Sequence, residues 1–173
     1  MKIKSLIVIL GVIFCDLLSA KTITTNTALV IDAPDWLKSV DVRKVSESIE
    51  RKLEWSTRRI NVHFHRSQKD FSKIHNFGSR PTAVTISTKE KSVIHLGPKV
   101  TKKNFAQIYG HELVHVIINQ KYRGAIPKWL EEGLANFYAK KGKVDYKWLS
   151  RFPVPSSIEA LSHPFQGDYE KIS

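Results

Sequence analysis

The spacing of apolar positions changes several times along this chain, and each change marks an element. Residues 28–31 form a short apolar run closed by Pro34, which reads as a first strand. From 41 to about 57, Val42, Val45, Ile49 and Leu53 recur at helical spacing on one stripe. Asp41 can cap that helix, because its carboxylate accepts first-turn N–H groups that have no partner within the helix. Residues 60–65 alternate: Ile60, Val62 and Phe64 toward a core, Asn61, His63 and His65 outward. A short helix is expected over 70–77, stopped by Gly78. Two more strands, 83–87 and 93–96, flank the charged turn Lys89-Glu90-Lys91, and Gly97-Pro98 closes the second. A long helix over 103–121 ends at Gly124, with Phe105, Ile108, Val116 and Ile117 on its buried side. Pro127 opens another over 128–141, stopped by Gly142, with Trp129, Leu130, Leu134 and Phe137 as its apolar side. Pro153, Pro155 and Pro164 mark a loop-rich tail. The order strand, helix, three strands, two helices predicts a compact α+β domain.

The first twenty residues stand apart. Lys2 and Lys4 make a basic start, and residues 6–15 are an apolar run too short to span a bilayer comfortably. Leu18-Ser19-Ala20 supplies a small-residue end, so a signal peptide over 1–20 and a single domain over 21–173 are expected. Attachment of a lipid at Cys15 is disfavoured, because Phe14 sits where a small residue should precede it. The expected location is therefore outside the cytoplasm, secreted or periplasmic, with no membrane span left after cleavage. Cys15 is the one cysteine and leaves with the signal, so no disulfide can hold the exported domain. Of 173 residues, 42% are hydrophobic and 25% charged, an ordinary globular composition. The chain carries 28 Lys+Arg against 16 Asp+Glu. Without Lys2, Lys4 and Asp16 the balance is 26 against 15, or +11. Such a charge favours an anionic cell-envelope surface. Nucleic acid is the weaker partner, because the basic residues are dispersed and form no long run.

Candidate chemistry is concentrated in His111-Glu112-Leu113-Val114-His115. On a helix, positions i and i+4 share a face, so both imidazoles can hold one tetrahedral metal ion. Glu112 lies one step round from His111, beside the ion rather than on it, where it can accept a proton from metal-activated water. A third histidine further along the same helix is absent: Ile118 and Lys121 occupy the positions where that pattern needs glycine and histidine. The next helix offers Glu131 and Glu132. Glu132 is the expected third ligand, because Gly133 and Ala135 beside it are small enough for close helix approach. Glu131 is the alternative.

His-Glu-Leu-Val-His followed by Trp129-Leu130-Glu131-Glu132-Gly133-Leu134-Ala135 resembles the gluzincin zinc metallopeptidases of the peptidase MA-like group, related to aminopeptidase N and thermolysin. The clear likeness covers about 104–139; a looser one, through Val62-His63-Phe64-His65, Asp70-Phe71 and Ile86, reaches back to about 60. It implies a zincin-like fold, a Zn2+ cofactor on His111, His115 and Glu132, Glu112 as general base, and a peptide or protein substrate. It also implies that 93–96 is the sheet edge along which a peptide lies. The Gly-x-Met-x-Asn element of aminopeptidases is missing, so an endopeptidase is the expected type. Asn136 stands where thermolysin-like enzymes place an aspartate that orients a ligand histidine. The oxyanion donor of the family would come from Tyr146, His163 or Tyr169. Only 41 residues follow Glu132, fewer than in relatives, which leaves a truncated C-terminus open. Two alternatives stand beside the peptidase: a catalytically weak or inactive zinc-binding cell-surface module, and an amidase acting on cell-wall peptides. His63 and His65, at i and i+2 on one strand face, could bind a metal, but a solvated face is the expected reading; His95 could touch substrate, but a surface histidine is expected.

Overall fold

The computed structural model describes residues 21–151 other than 79, 89, 90 and 145, without the side chains of Trp148 and Leu149. It is an α+β structure around one five-stranded mixed sheet. The elements are β1 (Ile23–Thr24), β2 (Ala28–Ile31), α1 (Ser39–Leu53), β3 (Ile60–Phe64), α2 (Gln68–Ser72), β4 (Ala83–Ser87), β5 (Ser92–Leu96), α3 (Phe105–Tyr122), α4 (Lys128–Ala139) and α5 (Tyr146–Leu149). The strand order is β1-β2-β3-β5-β4. β2, β3 and β5 run parallel, while β1 and β4 pair antiparallel at the two edges.

The edge assignment corrects an expectation. Residues 93–96 lie inside the sheet, hydrogen-bonded to β3 on one side and β4 on the other. The edge is β4, which pairs antiparallel with β5 and ends the strand order. Periodicity cannot distinguish the two, since strand order is a property of pairing and not of either strand alone.

The alternation over β3 holds: Ile60, Val62 and Phe64 are buried on one face with Ile94 and Leu96 of β5. α1 begins at Ser39, so Asp41 is its third residue and accepts the Lys38 backbone N–H at 3.2 Å instead of occupying the cap itself. It ends at Leu53, earlier than expected, with Glu54 in the left-handed region at φ 50°. α2 is the shorter segment Gln68–Ser72, started by Ser67, whose Oγ accepts the Asp70 N–H at 3.1 Å.

α3 departs from the amphipathic picture. Tyr109, Leu113, Val114, Val116 and Ile117 point in different directions, and each is almost fully buried. The helix packs against β4 and β5, α1 and α4 at once, so it is a core helix apolar nearly all round. Each such side chain contributes about 1.5–3 kcal/mol by burial. That frame anchors the polar residues the helix carries.

Gly97 ends β5 under a specific demand. A Cβ there would stand 2.9 Å from Phe71 Cδ1 and 2.9 Å from the Thr82 carbonyl oxygen. The bare backbone lets α2 and the start of β4 close on the sheet.

Candidate metal centre

Arg123 and Gly124 end α3 with consecutive positive φ values of 50° and 85°, a reversal that suits glycine at the second position. Pro127 then starts α4, and its carbonyl accepts the N–H groups of Leu130 and Glu131. The chain runs back along α3, so Glu131 meets His115 while Glu132, one residue further on, reaches both His111 and His115.

His111 and His115 bring their Nε2 atoms to 3.1 Å of each other. Glu132 places Oε2 3.5 Å from His111 Nε2 and Oε1 3.6 Å from His115 Nε2. Ligands at about 2.0–2.1 Å from a tetrahedral ion lie about 3.3–3.4 Å apart, so all three edges fit one small divalent ion. This is the one group of three metal-ligating side chains among the described residues whose donor atoms converge, all within 4.8 Å. The residues expected from sequence to bind metal are thus brought together, and they could hold an ion.

The remaining nitrogen of His115, Nδ1, faces Glu131 Oε1 at 2.7 Å. Glu131 is buried, and its second oxygen accepts from Lys128 Nζ at 2.7 Å. An imidazole that donates Nδ1–H to a carboxylate keeps its Nε2 lone pair free and aimed at the ion. Glu131 therefore fixes the orientation of His115, one of the candidate ligands, the role that the resemblance gave to the position of Asn136. Asn136 does not do this: His115 Nδ1 is taken by Glu131, and the Nδ2 of Asn136 is buried without a partner among the described residues. The sequence carried a signal for it, since Glu131 is three residues after Lys128 and one before a ligand glutamate.

Two further expectations about α4 shift with it. Its inward face is Glu131, Leu134, Ala135 and Tyr138, while Phe137 is exposed. That face is rotated by about one residue, roughly 100°, from the stripe expected from apolar positions. A Cβ on Gly133 would meet nothing within 4 Å, so its small size is not what admits the helix; Ala135, fully buried, sits at the contact.

Comparison with family models, with curated proteins and with solved structures returned no match. The reading of the site therefore rests on its own geometry.

Glu112 is 7% exposed, and its Oε2 accepts a 2.6 Å hydrogen bond from the Thr85 hydroxyl of β4. Burial lifts its carboxyl above the usual carboxylate range, against the opposing pull of His111, His115 and Thr85. For Glu132 and Glu131 burial acts in the same upward sense, but the hydrogen-bonded histidines outweigh it and hold both below the ordinary value. His115 is the counterpart. Burial would lower its pKa, and the bond to Glu131 with the charges of Glu132 and Glu112 raises it instead. The two groups of carboxylates are thus pushed apart: one toward holding a proton, the others toward staying ionised. Thr85 was not found from sequence, because nothing in a strand pattern shows which helix it will face.

A cleft of about 190 Å³ opens beside His111 and Glu112, bounded by Ala83 of β4, Gln107 and Ile108 of α3, and Ala139 of α4. His95 cannot line it. Thr85 and its partner Ile94 face α3, so His95, the next residue, points from the opposite face of the sheet. Tyr146 stands in α5 with 76% of its surface exposed. His163 and Tyr169 lie outside the described residues.

Proposed function

We propose that the chain is an exported zinc-dependent peptidase of gluzincin type with a zincin-like fold, acting on internal peptide bonds. The observation that carries the reading is the pairing of a three-ligand cluster, His111, His115 and Glu132, with a buried carboxyl, Glu112, on the adjoining helical position. When bound, zinc supplies a Lewis acid that polarises a peptide carbonyl and makes water acidic near neutral pH. The chain's own groups do the rest. Glu112, with its raised pKa, takes a proton and passes it to the departing amine. Thr85 holds that carboxylate in place from the edge strand. β4 has no strand on its outer side among the described residues, so it can accept an extended peptide by backbone hydrogen bonding. The cleft beside Ile108 and Ala139 then receives a substrate side chain.

Export is supported by the basic and apolar pattern of residues 1–20. No helix among the described residues is long and apolar enough to cross a membrane. The basic balance suits substrates or surfaces in an anionic envelope.

The test is turnover of unstructured protein, generic peptide libraries and cell-wall peptides by the wild type and Glu112→Gln, with metal content measured in both. Equal zinc in the two, with cleavage of peptide chains only by the wild type, is the expected result. Zinc in both with no turnover by either refutes the peptidase and leaves a binding module. Turnover of cell-wall peptides alone makes it an amidase.

A further inference from the structure

Four of the seven histidines, His63, His65, His75 and His95, gather on the side of the sheet remote from α3. His63 and His95 lie directly opposite each other on β3 and β5, with rings stacked at 5.4 Å and 22°. His65 follows two residues after His63 on the same face. Its Nε2 approaches His95 Nδ1 to 3.0 Å, and its ring lies 5.2 Å from that of His95. α2 covers the group: Phe71 packs on His65 at 5.6 Å and on His75 at 4.7 Å.

We propose that His65 and His95, joined by His63, form a second transition-metal site on this outer face, independent of the His111 centre. The 3.0 Å separation of the two facing nitrogens nearly matches the 3.1 Å separation of His111 and His115. Both approach the edge of about 3.3–3.4 Å that two ligands of a tetrahedral ion require. His63, its ring stacked 5.4 Å from that of His95, is the third imidazole beside the pair. Asp70 and Asp32 act electrostatically on His65 and favour a cation there. His75 adds a buried Nε2 with no partner among the described residues, a group whose hydrogen bond an ion's water can satisfy. Imidazole donors without thiolate select Zn2+, Cu2+ or Ni2+ over Mg2+ or Ca2+. Such an ion ties β3 to β5 at their C-terminal ends.

The test is metal stoichiometry of the wild type and of His65→Gln/His95→Gln, titrated with Zn2+ under calorimetry. The expected result is one equivalent fewer in the double variant, whatever the His111 centre binds; equal stoichiometry overturns the site. If the variant fails to fold, imidazole nitrogen signals of the wild type decide. His65 and His95 shift on Zn2+ addition if they are ligands, and if neither shifts up to saturation, the 3.0 Å contact is only an N–H···N hydrogen bond and the proposal is lost.

Discussion

Glu131→Gln isolates what a carboxylate behind the metal ligand contributes. The substitution keeps the shape and one hydrogen-bond acceptor at 2.7 Å from His115 Nδ1, and removes the charge. Glu131 is buried, and the side chain of His115 is 11% exposed, so water screens the pair little. Hydrogen bonds to charged groups contribute about 1.5–3 kcal/mol. Loss of such a partner behind a ligand histidine typically lowers metal affinity about 10–100-fold, or about 1.4–2.7 kcal/mol. A second effect acts oppositely. The same carboxylate raises the pKa of His115 in the metal-free protein, and that proton competes with the ion. Removing the charge weakens the competitor as well. The expected loss is therefore larger at pH 8, where the proton competes less, than near pH 6. Competition against a chromophoric chelator at both pH values measures it. Glu132→Gln, which removes a donor atom from the ion, should lose more at both. Unchanged affinity in Glu131→Gln at pH 8 refutes the orienting role. A greater loss in Glu131→Gln than in Glu132→Gln means that Glu131 is the ligand.

Thr85→Val removes the 2.6 Å donor to Glu112 at nearly constant volume. On the peptidase reading, kcat should fall about 10–100-fold with KM and zinc content little changed, and Thr85→Ser should restore it; an unaltered kcat in the valine variant excludes the contact from catalysis. Gly97→Ala forces a Cβ to within 2.9 Å of both Phe71 and the Thr82 carbonyl, so it should cost about 1–3 kcal/mol in urea unfolding, and a neutral result contradicts the packing of α2. In chelator-treated protein the unfolded chain protonates His95 near 6.5 but the folded one only near 4. Stability is therefore full above about pH 6.5 and falls as pH drops toward 4. His95→Asn should flatten that slope, and parallel pH profiles for the two proteins would show that the imidazole is not held neutral.

Much of the arrangement is legible without coordinates, because local signals agree. The alternation of 60–65, the punctuation by Gly124, Pro127 and Gly142, and the i, i+4 histidine pair are each local properties of a strand, a turn or a helix face. They place His111, His115 and Glu112 on one helix and the glutamates on the next. Which glutamate does what is not local. Glu131 and Glu132 are neighbours with the same side chain, and only the rotation of α4 sends one behind His115 and the other between the imidazoles. That rotation follows from burying Ala135, Leu134 and Tyr138 against α3, a balance over the whole interface that apolar spacing read 100° away. The hairpin that puts β4 outside β5 sets the sheet edge and delivers Thr85 to Glu112. The meeting of His65 with His95 likewise depends on β3 and β5 being neighbours across 30 residues of sequence. The sequence by itself determined most of the elements and the histidine pair with its two candidate glutamates, since each depends on residues within one or two turns. Only the tertiary structure decided the orienting carboxylate, the open edge and the second histidine cluster, since each depends on which surfaces bury one another.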